Sequence, residues 1–141
     1  MKSKPITIQT RIHASKSKVW EALTEPKHIV RWNAASEDWQ TTSASVNMTI
    51  GGSFRSRMEA KDGSAGFDFE GIYSDVSEGN HYRYILGDGR EVLVNLVEVG
   101  KSTDVIEMFD PENVNSRELQ QQGWQAILDH LKEYVETEMD V

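Results

Sequence analysis

NSRELQQQGWQAILDHLKEYVETEM, residues 115–139, is the stretch that decides the architecture. At helical period Leu119, Gly123, Ile127, Leu131 and Tyr134 fall near one line, with Trp124, Leu128 and Val135 beside it. Gln120, Gln121, Asp129, Lys132, Glu133 and Glu136 take the other side. This is one long amphipathic helix. Asn115 or Ser116 can cap its start, and Asn115 with Glu118 three residues on has the spacing of a capping box. A stripe this long needs a partner surface. Most of the preceding chain reads as strand, so the expected partner is a single sheet.

The bulk numbers bound the function class. A chain of 141 residues is long enough for one domain with a real core, and the whole chain, 1–141, reads as one domain without a linker or repeat. Hydrophobic content of 38% with 27% charged residues argues for a globular chain and against disorder. The net charge is -8, and the basic residues Lys2, Lys4, Arg11, Lys16 and Lys18 are only scattered, which argues against a nucleic-acid partner. With no cysteine, disulfides, thiolate metal sites and cysteine nucleophiles are excluded. Neither a signal core nor a transmembrane-length apolar run is present, so no membrane partner is expected and the expected location is cytoplasmic.

Along the chain, Ile6, Ile8, Thr10 and Ile12 alternate with polar residues and predict a half-buried strand. Ser15 or Ser17 caps a short helix carrying Val19, Trp20, Ala22 and Leu23, and Pro26 opens a second with Ile29, Val30 and Trp32. Trp39, Val46, Met48 and Ile50 suggest a strand within 38–50. Strands follow over 53–60, from Phe67 to Tyr73, over 81–86, over 91–99 and over 103–109, joined by turns at Asp62-Gly63, Glu78-Gly79-Asn80, Gly87-Asp88-Gly89 and Gly100-Lys101. The expected fold is α+β: a curved antiparallel sheet of about six or seven strands wrapped round a long C-terminal helix, with two short helices after the first strand. Such a sheet, bent further at Gly51, Gly52 or Gly71, leaves room for a pocket beneath the helix.

These residues resemble a known family. Val19-Trp20-Glu21-Ala22-Leu23-Thr24 with Pro26 and Arg31-Trp32, Gly51-Gly52-Ser53-Phe54 with Met58, Asp62-Gly63, Gly71-Ile72-Tyr73, and Gly123-Trp124 with Leu128 and Leu131 occur in the order found in the START-like (Bet v 1-like, SRPBCC) superfamily. Within it the chain resembles the Hsp90 ATPase activator homologue (AHSA1-like) branch. The resemblance implies a helix-grip fold, but says little about activity, because the family hosts binders and cyclases. The chain departs from many relatives at Asn33-Ala34-Ala35, where a second aromatic is usual, and at Phe109-Asp110, where a histidine is.

The in-phase set Phe54, Met58, Phe67, Phe69, Tyr73, Tyr84, Trp124 and Leu128 is the candidate pocket wall, or else plain core. Trp32 and Trp39 either form a lid or anchor the short helices. Glu107 is in phase with Val105 and Phe109, where relatives carry an apolar residue. Inward, it would have a raised pKa and could hold a ligand amine or hydroxyl, or act as a base. Lone strand glutamates are mostly solvated, so the sequence favours an outward Glu107. His13, His28, His81 and His130 lack metal-ligand spacing, so no metal and no cofactor is expected. No catalytic constellation emerges. The leading expectation is a binder of a small apolar or amphipathic molecule. A cyclase or hydrolase using Glu107 and a tyrosine is the second, and a chaperone-contacting interaction module is the third. The third requires an apolar outer sheet face, whereas Arg55, Arg57, Glu59, Asp68 and Glu70 make it charged.

Overall fold

The structure, a computed structural model, describes residues 4–139. Lys2 and the outermost residues of the expected 1–141 domain lie outside the described residues. The elements run β1 (Ile6–Ile12), α1 (Lys16–Thr24), α2 (Pro26–Trp32), β2 (Trp39–Val46), β3 (Ser53–Ala60), β4 (Gly66–Ser77), β5 (His81–Leu86), β6 (Glu91–Val99), β7 (Ser102–Phe109) and α3 (Arg117–Thr137). One seven-stranded sheet has the order β1-β7-β6-β5-β4-β3-β2, and its neighbouring strands are antiparallel. The sheet curls into a half-barrel and α3 packs against it, giving the α+β helix-grip architecture expected. Register shifts at Thr41/Ser43 and Tyr73/Asp75 interrupt the ladders. Such bulges bend a strand and increase its twist.

Strand β1 shows why the sheet closes on its first residues. Ile6, Ile8 and Ile12 are buried while Thr7, Gln9 and Arg11 are exposed, the alternation a one-sided sheet demands. Pairing with β7 runs from Ile6↔Phe109 to Ile12↔Thr103. The buried Thr103 hydroxyl donates to Ala14 O at 2.9 Å and fixes the exit from β1. Ser15, not Ser17, caps α1, accepting from Lys18 N at 3.2 Å.

Helix α3 buries Leu128, Leu131, Tyr134 and Val135. Each apolar side chain so covered contributes about 1.5–3 kcal/mol. Ser116 caps the helix by accepting from Leu119 N at 3.1 Å. The Asn115/Glu118 capping box does not form. Asn115 instead donates to Glu112 Oε1 at 2.7 Å through its backbone N–H. Two residues of the first turn change sides. Leu119 is 56% exposed, whereas Gln120 is buried. Gln120 accepts from Glu112 N at 2.9 Å and donates to Glu112 O and Asn115 O at 3.1 and 2.9 Å. The turn leading into α3 folds over this amide, so a polar side chain is covered with its partners satisfied.

The strand expected over 38–50 ends at Val46. Asn47 to Gly51 form a turn in which Gly51 has φ +87 and Ile50 is 67% exposed. Gly71 is needed for a different reason. A Cβ there would lie 2.8 Å from Ile85 O and 2.9 Å from the Phe54 ring, so its bareness lets Phe54 lie flat over β4.

Candidate functional site

The concave side chains are set by strand phase. Phe54, Ser56 and Met58 of β3 point inward, as do Tyr82 and Tyr84 of β5. Glu107 stands in the cross-strand row Tyr82–Val94–Glu107–Ile8, so it faces the same way as three buried neighbours. Helix α3 closes the opposite side with Trp124, Ile127, Leu128 and Leu131. Between them lies a hollow of about 260 Å³.

All ten residues singled out in the sequence border that hollow: Trp32, Phe54, Met58, Phe67, Phe69, Tyr73, Tyr84, Glu107, Trp124 and Leu128. They are not equivalent. Phe54, Met58, Tyr73, Tyr84 and Leu128 are buried. Phe67 is 50% exposed and meets Trp39 with ring centroids 5.9 Å apart. Trp32 both borders the hollow and anchors α2, its indole N–H donating to Ala22 O at 2.9 Å. Trp124 stacks on Phe109 at 4.0 Å and meets Phe69 edge-on at 6.2 Å. Tyr82, Ser56, Val94 and Leu131 also line the hollow and were missed. Strand phase could have found Tyr82, which shares the phase of Tyr84, and Ser56, which shares that of Phe54, while the helical stripe already carried Leu131.

Aromatic rings form one connected wall. Phe54 meets Tyr84 edge-on at 4.7 Å and Tyr73 at 5.4 Å, and Tyr73 meets Tyr82 at 5.9 Å. Offset and edge contacts at these distances are the favourable arrangements.

Glu107 overturns the preference for a solvent-facing carboxylate. It is half-buried and lines the hollow. Burial pushes its pKa from 4.5 up to about 7. Desolvation disfavours the charged form, and no cation offsets it. Burial likewise raises Tyr73, Tyr82 and Tyr84 above the ordinary phenol range, with Glu107 adding to the rise at Tyr82 and Tyr84. Arg90 acts in the opposite direction on Tyr84. Neither the Glu107 carboxyl nor the hydroxyls of these tyrosines has a hydrogen-bond partner among the described residues.

The fold brings one group of potential metal ligands together that sequence spacing did not reveal. Ligand atoms of Glu21, Glu25 and His28 lie within 4.8 Å of one another. The side chains of Glu21 and Glu25 are 40% and 42% exposed, and His28 Nδ1 is 2.7 Å from the Tyr134 hydroxyl. Exposed carboxylates with one anchored imidazole do not by themselves define a metal centre. His130 sits at the rim of a second, polar cleft, hydrogen-bonded to Ala34 O.

The outer sheet face is mixed. Arg55–Glu70 and Arg57–Asp68 pairs make its β3–β4 part charged, as expected. Ile72, Ile85 and Val97 are nevertheless exposed at 56%, 39% and 41%.

Residues 13–136 match the family profile described as Activator of Hsp90 ATPase homolog 1-like protein. The chain belongs to this AHSA1-like family. An AHSA1-like protein from Aeromonas hydrophila is 40% identical with a TM-score of 0.84, covering 96% of this chain and 99% of that one. A protein from Cytophaga hutchinsonii is 43% identical with a TM-score of 0.83, covering 95% of this chain and 93% of that one. The Aha1 dimer from Colwellia psychrerythraea, 18% identical with a TM-score of 0.74 over 98% of this chain and 100% of that one, shares the AHSA1-like fold. No curated protein is significantly similar to the sequence. In this AHSA1-like chain, no described helix is long and apolar enough to cross a membrane.

Proposed function

We propose that the chain works as one cytoplasmic domain that binds a small apolar or amphipathic molecule between sheet and α3, with no chemical step. The observation that carries this is the hollow of about 260 Å³ with a largely aromatic and aliphatic wall. Wall chemistry of this kind, with few polar groups, is typical of small-molecule sites. Affinity would come mainly from apolar area removed from water, less the cost of ordering the ligand. A thermal-shift screen of small aromatic and lipid-like compounds, followed by NMR titration of the hits, tests the reading. Saturable binders that shift the Leu128 and Leu131 methyls support it. A broad library without one such binder counts against it.

General acid/base catalysis is the second reading, favoured by the inward Glu107 with its pKa near 7. Incubating bound compounds and following their mass tests it. Turnover that persists in Glu107→Gln removes it. A protein-interaction role is third, favoured by the exposed Ile72, Ile85 and Val97 and by a family described through an Hsp90 activator. Pull-down with Hsp90, repeated after Ile72→Lys, tests that reading. Retention that the substitution leaves unchanged argues against this face.

A further inference from the structure

From the hollow's wall we infer that its occupant is an organic ammonium ion: a protonated amine carried on a compact apolar body. The inference rests on the ligand-pocket reading above and narrows it to one chemistry.

Charge provides the first argument. Apart from tyrosines, Glu107 is the one ionisable side chain lining the hollow among the described residues. No described lysine, arginine or histidine borders it. Among the described residues the half-buried carboxyl, which lines the hollow, has no hydrogen-bond donor. An ammonium group supplies the missing donor and the missing charge together. A carboxylate or phosphate ligand would meet like charge at Glu107 and no cation among the described lining residues, with only the neutral donors of Asn33, Ser56 and the phenols to offset it.

Ring faces provide the second argument. Phe54, Tyr73, Tyr82 and Tyr84 are mutually packed round one side, and Trp124 covers the other. Aromatic faces attract cations, and walls of such rings are how proteins hold alkylated ammonium groups. Phenol hydroxyls of Tyr73, Tyr82 and Tyr84 have free lone pairs that can accept from a second ammonium proton. A bare metal cation fits poorly, because it favours several charged or strongly donating oxygen ligands, and beside one carboxylate the hollow offers only neutral hydroxyls and the Asn33 amide among rings and aliphatic groups. The remaining wall, including Leu128, Leu131 and Val94, selects an apolar body.

Protonation of Glu107 ties affinity to pH. The titratable groups that feel its charge are Tyr82 and Tyr84 on β5, with Tyr73 on β4 lining the same hollow and Arg90 acting on Tyr84 from the β5–β6 turn. Burial holds these phenols protonated at neutral pH, so the carboxyl is the group that titrates.

The test uses the full chain and four probes sharing one ring: 2-phenylethylamine, 2-phenylethanol, phenylacetate and propylbenzene. Binding is read by NMR titration at pH 8 and pH 5. The amine is expected to bind at least about tenfold more tightly than propylbenzene at pH 8, the alcohol between them, and phenylacetate weakest. Its advantage should shrink about tenfold or more at pH 5, where Glu107 is protonated. In Glu107→Gln the amine's advantage and its pH dependence should both vanish, with the variant's spectrum reporting its fold. Because the probe and pH series on the unaltered chain stand without the variant, a misfolded variant does not spoil the test. Propylbenzene binding as tightly as the amine overturns the ammonium inference while leaving the pocket reading intact. If none of the four binds, the ammonium inference is overturned, and the pocket reading falls with it only where the broad screen also finds no binder.

Discussion

Replacing Glu107 with Gln should stabilise the ligand-free protein, by an amount that grows as pH rises from about 4.5 to about 7 and then levels off. The folded chain holds the Glu107 proton more tightly than the unfolded chain, with a pKa of about 7 against 4.5. The folded state therefore binds more protons between those values, and stability falls as pH rises through them. This contribution is fully present below pH about 4.5 and is lost as pH passes about 7. The difference corresponds to about 3.5 kcal/mol at most, since each tenfold change in proton affinity is about 1.4 kcal/mol. Water entering the hollow would soften the penalty, so the expected gain for Glu107→Gln at pH 8 is about 1–3 kcal/mol. At pH 5 the two proteins should differ little. Asp62, Asp88, Asp104 and Glu136 have lowered pKa values and are common to both proteins. The histidines are common to both proteins and cancel in the difference. Urea unfolding of both proteins at pH 5, 6, 7 and 8 gives the curves. Parallel curves would refute the inward, uncompensated carboxyl.

Three further substitutions probe what holds the site in place. Gly71→Ala should destabilise by about 1–3 kcal/mol in urea unfolding, because the new methyl meets Ile85 O at 2.8 Å and the Phe54 ring at 2.9 Å. Leu131→Ala removes a fully buried side chain between α3 and the sheet and should cost about 2–5 kcal/mol by the same measurement. Ser116→Ala removes the acceptor for Leu119 N and should cost about 1 kcal/mol, with faster amide exchange in the first turn of α3.

Periodicity made most of the fold legible. Strands β3 and β5 and the rotation of α3 from Leu128 to Val135 follow directly from alternation and the helical stripe, because a one-sided sheet and a single helix impose unambiguous periods. Ends of elements were harder to read. Met48 and Ile50 look strand-like, but the Asn47–Gly51 turn needs its own backbone geometry and leaves Ile50 in solvent. Gln120 reads as polar surface and is buried, because a tertiary partner, the turn at Glu112–Asn115, satisfies its amide. Phase placed the wall residues, since inward positions on a curled sheet converge. It also marked Glu107 as inward. The general preference of lone glutamates for water pointed the other way, and the sheet's register prevailed.

The central claim is that space beneath α3 takes in a small molecule. Methyl NMR titration with benzene tests it most directly, using the natural chain and Ser56→Leu, which pushes an isobutyl group from β3 into the hollow. The account predicts saturable shifts at Ile127, Leu128, Leu131 and Val94 in the natural chain and their loss in the filled variant. Unmoved methyls at those positions, or shifts confined to Ile72, Ile85 and Val97 on the outer face, would contradict it.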